Sequence, residues 1–209
     1  KVAAKQVFRG AGLGTPDWVL VEEFGDLAET RAEVERLSLP AVVKPVDSGS
    51  SIDVTIARTA ARRDEAMEEL LDRYGRVLVE RFVAGREMTV GVLGEEALPV
   101  MEILPAREFY DYAAKYADGS GTRYVFDHRL DEETCRRLRQ AGLAAHRSLG
   151  CRDLSRVDFI LDGEGVPQVL EVNTIPGFTS HSLVPMAAAR AGVCFEELVD
   201  RLVQMAMDR

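Results

Sequence analysis

Cysteine is scarce in this sequence and badly spaced for pairing. Cys135, Cys151 and Cys194 are scattered, which offers neither an even disulfide framework nor the paired spacing of a zinc site. That usage predicts a reducing, cytoplasmic setting. Long apolar runs are absent as well. No stretch approaches the roughly 18 uninterrupted apolar residues of a membrane span, and the opening KVAAKQVFRGAGLG mixes charge among its apolar residues, unlike a signal peptide. No membrane association is expected. Positive charge is also in short supply: 26 Lys and Arg stand against 35 Asp and Glu, a formal charge of -9. This balance excludes binding nucleic acid or an anionic membrane by bulk attraction, since both are polyanions. A nucleotide would need a locally positive pocket. The two common phosphate-loop signatures are missing too. No G-x-x-x-x-G-K-[ST] stretch exists, and Gly10, Gly12 and Gly14 miss the G-x-G-x-x-G spacing and follow no strand. Those three glycines are expected in turns.

What is present suffices for a folded core: 209 residues, 46% hydrophobic, enough for one large domain or two small lobes. Lys1 to Ala11 reads as a short helix, Trp18 to Val21 as a strand, Leu27 to Leu37 as a helix and Ala41 to Lys44 as a strand stopped by Pro45. A polar loop, Val46 to Ser51, follows. A third strand, a helix over Arg62 to Tyr74 and a strand over Val77 to Phe82 complete a first lobe, residues 1–85. The second lobe, 86–209, opens with strands at Met88 to Leu93 and Ala97 to Leu104. Pro105 to His128 has no clear period, and a loop of that length inside a compact domain is usually functional or disordered. Asp131 to Leu149 is a helix with an acidic first turn, on whose surface His146 is expected. Strands at Leu154 to Leu161 and Pro167 to Asn173 flank a Gly-rich turn. A loop, a small-residue helix from Ser182 and a terminal helix from Phe195 close the chain.

The sharpest inference from spacing concerns that last hairpin. If Asp162 lies opposite Pro167, then Ile160 faces Val169, Asp158 faces Glu171 and Arg156 faces Asn173, the last six on one face of the sheet. Opposed residues have Cβ atoms roughly 4.5–5.5 Å apart, so two like charges at Asp158 and Glu171 ask for a cation. Two carboxylates and an amide suit Mg²⁺ or Mn²⁺. The alternative is that Arg156 neutralises one carboxylate and the pair is surface charge. Asn173 favours the metal, being the only asparagine in the chain and leading straight into Pro176-Gly177.

Phosphate chemistry has a weaker signal. Lys44 stands at a strand end before Gly49-Ser50-Ser51, a turn able to present amides and hydroxyls to phosphate oxygens; the same pattern also describes a solvated surface turn. Glu80 or Glu87 could accept from a ribose hydroxyl, or could be an ordinary surface glutamate. His128, His146 and His181 are too dispersed for a metal set. His181 beside Ser180 has no evident third group to orient it as a catalytic base.

Taken in order, VVKPVDSGSSIDV, VERFVAGREMTVGVL, FYDYAAKY, SRVDFILDGEG and LEVNTIPGFTSHSLVPMAA resemble the D-alanine–D-alanine ligase family of the ATP-grasp superfamily. The resemblance runs over essentially the whole chain. It implies an α+β fold of two lobes that clasp ATP between antiparallel sheets, and it implies roles by position. Lys1 and Lys44 would contact the phosphates, Glu80 the adenine end and Glu87 the ribose. Ser50 would sit in a phosphate-covering turn. Lys115 would reach the transferring phosphate, with Tyr116 and Tyr110 closing the site. Asp158, Glu171 and Asn173 match the Mg²⁺ ligands, Arg156 and the Gly177 amide the oxyanion-binding groups, and Ser182 and Leu183 positions lining the amino-acid pocket. The implied reaction joins two D-alanines through an acyl phosphate for cell-wall precursors, in a homodimer. Ala114-Lys115-Tyr116 looks like the dipeptide-forming branch.

Members of this family carry a further N-terminal domain that holds the first D-alanine, and the sequence begins at about the point where that domain ends. A fragment that binds Mg·ATP but makes little dipeptide alone is therefore expected. Another ATP-grasp carboxylate–amine ligase, or a non-catalytic nucleotide-binding domain, are the competing readings.

Overall fold

The computed structural model describes residues 1–25, 27–49, 51–105 and 121–208. Ser50, Tyr110, Lys115 and Tyr116 therefore lie outside the described residues, as does much of the periodless stretch Pro105 to His128. The chain divides into two compact units. Among the described residues, the first comprises those within 1–3, 16–83, 105 and 121–122, and the second 4–15, 84–104 and 123–208.

In the first unit, period-two alternation builds an antiparallel sheet. β1 (Trp18–Glu22), β2 (Ala41–Pro45), β3 (Thr55–Ala57) and β4 (Arg76–Arg81) lie in the order β1-β4-β2-β3. Val19, Val21, Ala41, Val43, Ala57, Val77 and Val79 point to one face and form a buried core. Two helices cover that face, α2 (Leu27–Arg36) through Val34 and α3 (Ala60–Tyr74) through Ala66, Met67 and Leu70, a stripe at helical spacing. Thr59 caps α3 by accepting from the Arg62 amide, and Gly75 ends it in the left-handed conformation, the arrangement that satisfies both orphaned ends of a helix. The opposite face of this sheet carries Val42, Lys44, Leu78 and Glu80 by alternation.

The second unit holds a larger antiparallel sheet, β10-β9-β5-β7-β8 with β6 added to β5. Its strands are β5 (Gly85–Leu93), β6 (Glu96–Ala97), β7 (Met101–Leu104), β8 (Arg123–Val125), β9 (Leu154–Asp162) and β10 (Pro167–Asn173). Met88, Val90, Val92, Val157, Phe159, Leu161 and Val169 form the core face. It is covered by α1 (Val2–Gly10), through Phe8, and by α4 (Glu132–Ser148), through Cys135, Leu138 and Ala145. Phe8 is fully buried in this core, which is why residues 4–15 belong to the second unit although they precede the first in sequence. α5 (Leu183–Arg190) packs on the other face. A Cβ at Gly91 would lie 3.4 Å from a Val184 methyl and 3.0 Å from Leu98, so the absent side chain lets the helix approach. α6 (Phe195–Met207) closes the chain.

Three expectations need correction. The strand foreseen over Ala97 to Leu104 is broken into β6 and β7, because Pro99 in its middle cannot donate to a ladder. β8 lies inside the stretch read as periodless, where three residues are too few to show a period. His146 does not decorate the surface. It is 2% exposed, and its Nδ1 lies 2.7 Å from the hydroxyl of Ser155, itself fully buried. Among the described residues, no helix is long and apolar enough to cross a membrane, and all three cysteines are free.

Burial lowers the pKa of His146, and His128 is lowered chiefly by burial and then by Arg86. A depressed folded-state pKa means that the unfolded chain takes up the proton first. Stability is then fully present above the unfolded value near 6.5 and is lost as pH falls from there through the folded value. Chemical denaturation at pH 7.5, 6.5, 6.0 and 5.5 should show falling stability, steepening towards about 1.4 kcal/mol per pH unit for each group. His146→Gln should make the decline shallower, and an unchanged pH profile in that variant would show that this imidazole does not carry the effect.

Candidate functional site

β9 and β10 bring the predicted acidic set together. Asp158 pairs with Glu171 and Arg156 with Asn173 across the antiparallel strands. The rest of the expected register is off by one. Pro167 lies opposite Leu161 and Val169 opposite Phe159, and a bulge between Val169 and Glu171 restores the pairing beyond it. Ile160 therefore faces Gln168, and Val169 turns into the core. The physical reason is that Val169 and Val172 both belong against the core. Three residues apart, they fall on opposite faces of a regular strand, and one extra residue puts them on the same side.

Asp158 is held from two directions. Arg156 Nε and Nη2 donate to its carboxylate at 2.9 Å and 2.7 Å, and the hydroxyl of Thr89 on β5 donates at 2.7 Å. Thr89, 2% exposed, was not singled out from sequence. The available signal was alternation along β5, which sets Glu87 and Thr89 on one face, opposite Ile160 and Asp158. Arg156 does partner one carboxylate, as the charge-neutralising alternative foresaw. Glu171, however, makes no ion pair or hydrogen bond among the described residues, and it stands across from Asp158 on the same face. Asn173 Oδ1 accepts from the Ile175 amide at 3.0 Å, which fixes the side chain and leaves its second lone pair. Two carboxylates and a carbonyl oxygen are a hard donor set that fits Mg²⁺ or Mn²⁺. Among the described residues, no group of three or more His, Cys, Asp or Glu is placed to hold a metal.

The loop after β10 folds on itself. Ser182, at the N-cap of α5, turns its hydroxyl back to Thr179, accepting from the amide and lying 3.0 Å from Thr179 Oγ1. A Cβ at Gly177 would come within 3.2 Å of Ser182 Oγ, so the residue expected to bind an oxyanion and a residue expected to line the amino-acid pocket are neighbours. Leu183 is buried at the start of α5. Ser180 and His181 lie 3.1 Å apart on the exposed loop.

The first unit has its own cluster. Lys44 Nζ donates to Glu80 Oε2 at 2.7 Å, and the two side chains are 14% and 3% exposed. Neither is the solvated surface group that its residue type suggests. β2 and β4 pair Val42 with Glu80 and Lys44 with Leu78, so the two charges are diagonal neighbours. Lys1 Nζ donates to the carbonyls of Pro45 (2.9 Å), Val46 (3.1 Å) and Ser48, gathering the loop after β2. The other end of that loop is tied by Asp53, which takes Arg73 at 2.7 Å and the Tyr74 hydroxyl at 2.5 Å. Glu87 lies on β5 in the second unit, opposite Ile103 and Ile160.

Comparison with known proteins points one way. The family model described as "D-ala D-ala ligase C-terminus" matches residues 7–204. The D-alanine–D-alanine ligase of Synechococcus sp. (strain JA-3-3Ab) is 42% identical over 210 residues, covering 100% of this chain and 64% of the relative. The chain thus spans a little under two thirds of that relative's length. Among solved structures, D-alanine–D-alanine ligase from Bacillus anthracis superposes with a TM-score of 0.85 at 34% identity, over 98% of this chain and 66% of that one. The same ligase has been solved complexed with ATP, at a TM-score of 0.84, 30% identity and 98% and 64% coverage. VanG D-Ala:D-Ser ligase from Enterococcus faecalis gives 0.86 at 32% identity, with 97% and 60% coverage.

The buried pair of Lys44 and Glu80 has a measurable consequence. Removing one partner strands the other charge at a site with little water, at a cost of about 3–5 kcal/mol. Lys44→Met should destabilise the ligand-free chain on that scale, while adding Glu80→Gln should recover part of the loss. A double-mutant cycle by chemical denaturation with coupling below about 0.5 kcal/mol would mean that the two groups do not depend on each other.

Proposed function

The chain belongs to the family of D-alanine–D-alanine ligase C-terminal regions, and from that premise we propose that it is the nucleotide-binding and catalytic portion of an ATP-dependent ligase that joins two D-alanines. Its two antiparallel sheets with helices form the α+β ATP-grasp fold of the ligases it matches. The observation that supports the reading most is the opposition of Asp158 and Glu171, with Asn173 on the same face. Because the chain spans 64% of its Synechococcus relative, dipeptide synthesis is a proposal for the whole protein.

In this reaction a carboxylate oxygen of the first D-alanine attacks the γ-phosphorus of ATP. The bond from phosphorus to the β,γ-bridging oxygen breaks, ADP leaves and an acyl phosphate remains. The amine of the second D-alanine then attacks the acyl carbon and gives up a proton, and the tetrahedral intermediate expels phosphate. Each step gathers negative charge, and this chain's residues answer it. Lys44 and Lys1 bind phosphate oxygens, with Lys115 on the transferring group. Glu80 takes the adenine end and Glu87 the ribose. Asp158, Glu171 and Asn173 hold Mg²⁺ or Mn²⁺, which when bound offsets charge on the triphosphate. Arg156, oriented by its bonds to Asp158, and the Gly177 amide stabilise the tetrahedral oxyanion. Ser182 and Leu183 line the amino-acid pocket. Ser50, Tyr110 and Tyr116 serve to cover the site, since an acyl phosphate must be kept from water. A cytoplasmic setting and a homodimeric whole protein belong to the same reading. The likeness to a D-Ala:D-Ser ligase supports a second one, in which the acceptor amine differs and the activation chemistry is unchanged.

Calorimetric titration of ATP with and without Mg²⁺ tests the site. Mg²⁺ should tighten ATP binding to this chain, and Asp158→Ala with Glu171→Ala should remove that gain while leaving metal-free binding in place. A Mg²⁺ effect that survives the double substitution would sink the assignment. Phosphate release by the whole protein with D-alanine against D-serine as acceptor separates the two readings.

A further inference from the structure

Only four of the 26 basic residues are lysine: Lys1, Lys5, Lys44 and Lys115. Three have proposed nucleotide roles. The fourth, Lys5 on α1, is 1% exposed, and an ammonium group so deeply buried is costly unless its hydrogen bonds are made. Its Nζ donates to Thr15 Oγ1 at 2.6 Å, and that hydroxyl donates its own hydrogen bond to the carbonyl of Val169 at 2.8 Å. The Val169 amide in turn donates to the carbonyl of Gly14 at 2.8 Å. Gly14 and Thr15 therefore bond both backbone groups of Val169 along the free edge of β10, the terminal strand of its sheet. The approach is close: a Cβ at Gly14 would lie 2.9 Å from the Pro167 carbonyl, which only glycine permits.

Val169 is the last residue paired before the bulge, and Glu171 is the first paired after it. An edge strand with an extra residue has a weakly specified register, and a slip of one residue moves every side chain to the other face. Were the bulge lost with Val169 kept opposite Phe159, Leu170 would stand opposite Asp158 and Glu171 would turn into the core. Asn173 would leave Arg156. Whatever clamps Val169 therefore decides which residue meets Asp158.

We propose that Lys5 and Thr15 are positioning residues for the divalent-cation site, clamping the β10 bulge at Val169 so that Glu171 and Asn173 face Asp158 and Arg156. This rests on the reading of those residues as metal ligands. The ammonium of Lys5 makes the Thr15 hydroxyl a stronger donor to the Val169 carbonyl, a charge-assisted chain rather than a neutral one.

Thr15→Val keeps the shape and removes the hydroxyl, and Thr15→Ser keeps the hydroxyl. Two measurements on the same chain decide. One is amide hydrogen exchange of β10; the other is Mn²⁺ affinity in the presence of ATP, with metal-free ATP affinity as the control. Thr15→Val should speed exchange at Val169 to Asn173 and weaken Mn²⁺ binding roughly tenfold, the scale of outer-shell substitutions at metal sites. Metal-free ATP binding should not change, and Thr15→Ser should restore both readouts. Lys5→Met should copy Thr15→Val, though the Thr15 pair is decisive whether or not that variant folds. Unchanged exchange in Thr15→Val overturns the clamp. Faster exchange with unchanged Mn²⁺ affinity overturns its link to the site. If the unaltered chain shows no Mn²⁺ dependence, the metal-ligand reading itself fails, and the positioning role falls with it for that separate reason.

Discussion

Like charges set opposite each other on neighbouring strands are unfavourable, and a fold keeps such a pair only where something else offsets the repulsion. Asp158 and Glu171 are that pair. Asp158 is largely satisfied by Arg156 and Thr89, so the repulsion is muted. Glu171, with no protein donor among the described residues, keeps its acceptor capacity. The asymmetry matters. Two fully neutralised carboxylates would have no electrostatic reason to take a cation, and two bare ones would strain the hairpin. One satisfied and one open carboxylate are the arrangement that the proposed divalent-cation reading requires.

The first unit solves a related problem differently. Lys44 and Glu80 neutralise each other at 2.7 Å beneath little solvent. A lysine with so little solvent around it is a costly buried cation, and the nearby carboxylate supplies the opposite charge. Lys1 takes another route, satisfying its ammonium on the carbonyls of Pro45, Val46 and Ser48. With a net charge of -9, the chain has no bulk attraction for a triphosphate. Under the proposed nucleotide reading, local cations held in place by fixed acceptors would have to supply it.

Most of this organisation was legible in the residues. Alternation in Ala41 to Lys44 and Val77 to Phe82, and helical spacing in Arg62 to Tyr74 and Asp131 to Leu149, gave elements whose bounds agree within a few residues. The opposition of Asp158 and Glu171 was legible too, but by two compensating errors. The assumed register was wrong at Pro167, and the unforeseen bulge corrected it before Glu171. Val169 and Val172, both apolar and three apart, held the clue. Features set by tertiary packing were not legible. Nothing local tells that His146 turns inward to Ser155, that Thr89 meets Asp158, or that Phe8 belongs to the second core. Each depends on a partner far along the chain. The break at Pro99 was within reach of a local rule.

Bulges are tolerated at sheet edges because an edge has one neighbour to disturb rather than two. β10 is such an edge, and its outer side would otherwise offer unpaired backbone groups. The segment Gly14 to Thr15 closes part of that side, bonding both the amide and the carbonyl of Val169. The same few atoms therefore cover an exposed edge and fix the point from which the bulge is counted. A regular strand would need no such fixture, since the hydrophobic pattern alone would set its register. It would also place Val169 and Glu171 on one face, and so could not bury the first while setting the second across from Asp158. The irregularity is what sets Glu171 across from Asp158, and the proposed clamp at Val169 rests on the close approach that the missing side chain at Gly14 allows.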